Sequence, residues 1–62
     1  MFVKLTGDAG RVYWINTDHI LSMEIVDVEK GFASNRIIFH NSGSEMVHES
    51  PHDIATLANG HR

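Results

Sequence analysis

Polar and apolar positions alternate in short runs along this chain, and turn residues punctuate the runs. From Phe2 to Thr6, Val3 and Leu5 alternate with Lys4 and Thr6, the period of a half-buried strand. Gly7–Asp8–Ala9–Gly10 follows as a turn. Arg11 to Asn16 is then rich in β-branched and aromatic residues, so the two runs predict a first hairpin. Asn16, Thr17 and Asp18 break the pattern, because their side chains bond nearby backbone groups. Thr17 to Ile20 has room for one helical turn. Ile20 to Val28 alternates again, with Leu21, Met23 and Ile25 pointing one way and Ser22 and Glu24 the other. Glu29 to Asn35 has the composition of a loop.

Arg36 to His40 predicts a fourth strand and Ser44 to Glu49 a fifth. Between them, Asn41–Ser42–Gly43 suits a three-residue hairpin, with Gly43 expected at the left-handed position. The final element is a helix over 51–58. Ser50 is its cap, Pro51 opens it, and Asp53 completes a capping-box pattern. Ile54, Leu57 and Ala58 form its short apolar face, and Asn59–Gly60 stops it. The expectation is a mainly β (α+β) fold in a single domain spanning residues 1–62. It has strands at about 2–6, 11–16, 20–28, 36–40 and 44–49. They form one small five-stranded antiparallel sheet, or a partly open barrel, carrying one short C-terminal helix.

Apolar residues occupy both faces of these strands. Val12 and Trp14 alternate with Tyr13 and Ile15, Ile37 and Phe39 with Ile38, and Met46 with Val47. One short helix hides one face. The second set then forms an exposed patch, which marks an association surface, unless the sheet curls into a small barrel. Unpaired strand edges favour association too. Size sharpens the point: 62 residues is near the lower limit for a chain that folds alone. Cysteine is absent, which excludes disulfides, thiolate zinc sites and iron–sulfur clusters. A partner copy or a histidine-bound metal remains.

Charge narrows the partner. The formal net charge is −3, and Lys4, Arg11, Lys30, Arg36 and Arg62 are scattered. Nucleic-acid affinity comes largely from phosphate neutralisation, so this balance argues against an RNA or DNA binder. No run is apolar enough to span a membrane, and Met1 to Thr6 lacks the features of a signal peptide. A cytoplasmic location is expected.

The candidate chemistry is sparse. His48–Glu49–Ser50–Pro51–His52 matches the H-E-x-x-H zinc-protease pattern. That motif needs both histidines on one helical face, and Pro51 belongs at a first turn instead. His40 and His48 fall several residues apart along the last hairpin, so a site using His40, His48 and His52 needs ligands from a second chain. Otherwise they are surface imidazoles. Glu45, Glu49 and Asp53 read as a solvated face near a helix N-terminus. The Gly7–Gly10 turn lacks the sequence of a phosphate-binding loop. Phe32, between Gly31 and Ala33, either tucks under its loop or projects as an anchor. Trp14 reads as core. No enzyme activity, cofactor or metal is expected.

Several residues carry a family likeness. Val3–Lys4–Leu5–Thr6, Gly10, Ile15–Asn16, Ile20, Glu24, Asn41–Ser42–Gly43 and Val47–His48–Glu49–Ser50 occur in that order, followed by Ile54 and Leu57. Over residues 2–58 the chain resembles the FlbD family of small flagellar-associated proteins and similar small bacterial and phage proteins. The resemblance implies the same small fold without an enzymatic activity. The Glu29–Asn35 loop is longer than that family's link, and the helix ends earlier. Strand order and length are also similar to the CsrA family of RNA-binding dimers. There Leu5–Thr6 and Val47–His48 match its elements, but Gly7–Asp8 and Glu49–Ser50 stand where that family is basic.

The function expected is a protein-interaction module, a homodimer or higher homo-oligomer. It presents Tyr13, Ile15, Phe32, Ile38 and Val47 to an unidentified protein partner. A CsrA-like RNA-binding dimer is the first alternative, and a histidine-dependent metal-binding protein the second.

Overall fold

A computed structural model describes residues 1–60. These residues form five strands and one helix, but the strands make two sheets rather than the single sheet expected. Strands β1 (Phe2–Thr6) and β2 (Val12–Asn16) make an antiparallel ribbon. Strands β3 (Ile20–Ile25), β4 (Asn35–Phe39) and β5 (Ser44–Val47) make an antiparallel sheet in that order. The helix α1 (Pro51–Asn59) packs on β1.

The division begins at Asn16. Its Oδ1 accepts the Asp18 N–H at 3.1 Å and the terminal ammonium of Met1 at 3.0 Å. This holds Thr17–His19 in a single 3-10 turn, as the sequence suggests, and sends β3 into the other sheet instead of alongside β2. The alternation along the ribbon then has a clear outcome. Val3, Leu5 and Ile15 are buried and Tyr13 packs against them, while Phe2, Val12 and Trp14 face away. Ile37 and Val47 supply the opposing wall, and Ile54 closes the core from the helix. Trp14 is therefore not core: it sits 65% exposed, because Tyr13 and Ile15 hold the inward positions of its strand.

The ends of the elements also shift for identifiable reasons. β3 stops at Ile25 rather than Val28. The Asp8 carboxylate takes the Ala33 N–H at 2.7 Å and draws the returning chain away, so residues 27 and 28 face no strand. β5 stops at Val47 rather than Glu49, because the His48 N–H turns to the Thr6 carbonyl at 2.7 Å. In the last hairpin the left-handed residue is Ser42 (φ 73°), not Gly43. The Asn41 Oδ1 accepts the Gly43 N–H at 2.9 Å and fixes the turn one residue earlier. The first turn places both Ala9 (φ 58°) and Gly10 (φ 73°) in the left-handed region. The helix start conforms to the sequence: Ser50 Oγ accepts from the Asp53 N–H, and the Asp53 carboxylate from the Ser50 N–H.

Candidate interaction surface

Two regions position whatever the molecule presents. The first is the seam where β5 leaves its own sheet and meets the end of β1. The Thr6 N–H donates to Glu49 Oε1 at 2.9 Å, and its hydroxyl to Glu49 Oε2 at 2.8 Å. The Thr6 carbonyl accepts from His48. Asn35, fully buried, donates from Nδ2 to the Glu49 carbonyl at 3.0 Å. Its Oδ1 is buried without a hydrogen-bond partner among the described residues. Asp8 contacts the loop at Ala33 and stands 3.3 Å from His48 Nε2. Partial burial alone would raise the Glu49 carboxyl. The two Thr6 donors, its own backbone N–H and neighbouring His48 outweigh that and hold it below its ordinary value of 4.5.

Close approach at this seam depends on Gly7. A Cβ there would lie 2.6 Å from the Tyr13 ring and 3.3 Å from the Met46 carbonyl oxygen.

The second region is the outer face of the ribbon. Phe2 lies opposite Asn16 and Lys4 opposite Trp14, which makes Phe2 and Trp14 diagonal neighbours on one face. Thr6 pairs with Val12 further along the same face. Phe2, Trp14 and Val12 are all exposed. A groove of about 410 Å³ runs beside them, lined by Phe2, Trp14, Phe39, His19 and His40. Aromatic rings share the lining with the imidazoles and with Asn16 and Asn41, which suits an apolar side chain carrying a polar end.

The residues expected from the sequence scatter relative to this face. Ile15 and Val47 are core residues, at 7% and 0% exposure. Both sit on the strand positions that the two sheets use to pack together. Tyr13 and Ile38 are half-buried, Tyr13 against the core and Ile38 on the outer face of the second sheet. Phe32 projects from its loop at 54% exposure, while Ala33 beside it is buried. Phe2 and Trp14 replace the buried pair as the prominent exposed aromatics. The alternation of the ribbon could have identified them: Val3 and Leu5 pointing in require Phe2 to point out.

His40 and His48 lie far apart. His48 sits by Asp8, and the His40 N–H bonds the His19 carbonyl at 3.0 Å, beyond the other end of β4. Among the described residues no group of three or more metal-ligating side chains comes together. No helix among them is long and apolar enough to cross a membrane. Arg36 is engaged with Glu24 at 2.8 Å on the outer face of the three-stranded sheet, while Lys4 lies on the ribbon. Comparison with family models, curated proteins and solved structures finds no match.

Proposed function

We propose that the chain is a non-enzymatic, cytoplasmic, FlbD-like interaction module that self-associates and offers an apolar face to a protein partner. The observation that carries this reading is the exposure of Phe2, Trp14 and Val12 together on one ribbon face. Contiguous exposed apolar side chains of this kind are a mark of recognition surfaces. Aromatic anchors also contribute disproportionately to binding. The placement of Lys4 and Arg36 on different sheets favours a protein partner over a phosphate backbone.

Light scattering across a dilution series, combined with iodide quenching of Trp14, tests the proposal. Trp14 is the single tryptophan of the chain, so the signal has one source. The expected result is an oligomer that persists at low micromolar concentration with Trp14 still quenchable. A folded monomer would remove the self-association. An oligomer with a protected Trp14 would mean that the aromatic face joins copies to one another instead of awaiting a partner.

A further inference from the structure

Strand β3 pairs with β4 on one side, and no strand among the described residues occupies its other side. The Val26 N–H bonds to the Ser34 carbonyl, which fixes the alternation of bonding along this pair. Glu24 and Ser22 therefore turn their backbone groups toward β4. Met23 and Ile25 turn theirs outward, to the open edge. The side chains show the same incompleteness. Ile25 lies opposite fully buried Asn35 on the core side of the sheet, yet is 63% exposed. Leu21, in the bulge between Ile20 and Ser22, is 60% exposed. The core side of the sheet is covered at β4 and β5 but has no roof beyond β3.

The edges differ in how they are protected. At the end of β1, Glu49 and His48 take up the outward groups of Thr6. The core-side residues of β2, Tyr13 and Ile15, are already packed. An added strand there gains little new burial. β3 has neither protection: it carries no proline or lysine, and its bulge at Leu21 interrupts the edge only at the start, leaving Met23 and Ile25 in regular strand.

We infer that a second copy of this chain adds its own β3 antiparallel to this edge, so that two three-stranded sheets become one six-stranded sheet. This deepens the proposed self-association and rests on it. The register follows from the pairing rules. Centring the two-fold on Met23 joins outward-facing backbone groups to one another. It sets Met23 beside Met23 of the partner subunit and Ser22 beside Glu24 of the partner subunit, and the bulge at Leu21 ends the regular ladder there. No charge then meets its like. Centring on Glu24 opposes two carboxylates and presents the wrong backbone groups. Centring on Ile25 brings Asp27 against the partner's Met23 on the core side.

The cysteine-free sequence permits a direct test. A bonded antiparallel pair holds its Cα atoms about 5.5 Å apart, within disulfide reach. The Met23→Cys variant is oxidised under mild conditions, and light scattering of the wild type is run in parallel. The Ser22→Cys/Glu24→Cys double variant serves as the second probe if Met23→Cys does not fold, and Trp14→Cys as the contrast. The expected result is a wild-type mass twice the 7.0 kDa of the chain, with covalent dimer from the β3 variants and not from Trp14→Cys. A wild-type dimer in which Trp14→Cys crosslinks and the β3 variants do not would overturn the β3 edge while leaving self-association standing. A folded wild-type monomer would overturn both.

Discussion

The seam at Thr6 and the edge at β3 are both places where a strand runs out of neighbours, and the chain treats them oppositely. At the seam, a carboxylate, a backbone N–H and a buried amide satisfy the exposed backbone. At β3, apolar Leu21 and Ile25 flank an unpaired ladder. The contrast separates two jobs. Polar groups with fixed partners join the two sheets into one body. An apolar edge without partners leaves a place for another body to join. Substitutions at the seam should therefore change folding, and substitutions at the edge should change association.

The largest effect belongs to the shared core beneath the seam. Ile37 is fully buried and packs between the sheets. Ile37→Ala should cost about 2–5 kcal/mol, enough to unfold most of a chain this small, as read by urea denaturation. A cost near zero would mean that the two sheets do not share one core.

Glu49→Ala comes next. It leaves two Thr6 donors without their acceptor and should cost about 1–3 kcal/mol in the same assay. The milder Glu49→Gln separates charge from shape. The folded carboxyl lies below its ordinary value of 4.5, so its contribution is complete above that range and fades as pH falls through the lowered folded value. Glu49→Gln should flatten this part of the acid unfolding curve. An unchanged acid limb would remove Glu49 from the seam's energetics.

A smaller effect, of opposite sign, is expected in the first turn. Ala9 holds a left-handed backbone that disfavours a side chain. Ala9→Gly should stabilise by under about 1 kcal/mol in thermal melts. Destabilisation would show that the turn is not strained as its φ indicates.

The smallest effect on folding is expected at the edge. Ile25→Lys should alter the stability of the isolated chain by less than about 0.5 kcal/mol. It should nonetheless abolish association, as followed by sedimentation velocity. Loss of the fold instead would place Ile25 among the core residues.

Much of this contrast is legible in the sequence, and the limits are physical. Alternation located every strand, and Ser50 to Asp53 located the helix start, because both depend on local periods and local hydrogen bonds. The split into two sheets was not legible. It depends on Asn16 gripping Met1 and Asp18, and on Glu49 reaching Thr6 from 43 residues away. Local composition places Asn35 in a loop, although its amide is buried and ties β4 to Glu49. Residue type alone places Trp14 in the core, yet the alternation of its own strand puts it outside. The same reasoning that wrongly favoured Ile15 and Val47 as surface residues points to Phe2 and Trp14 once the inward face is known.

Amide hydrogen exchange of the wild-type chain at high and low protein concentration tests the central contrast most directly. Protection at Met23 and Ile25 should rise with concentration, as the edge gains a strand, while protection at Thr6 and His48 stays constant. Equal exchange at Met23 and Ile25 across the series, at concentrations where the chain is associated, would contradict the account.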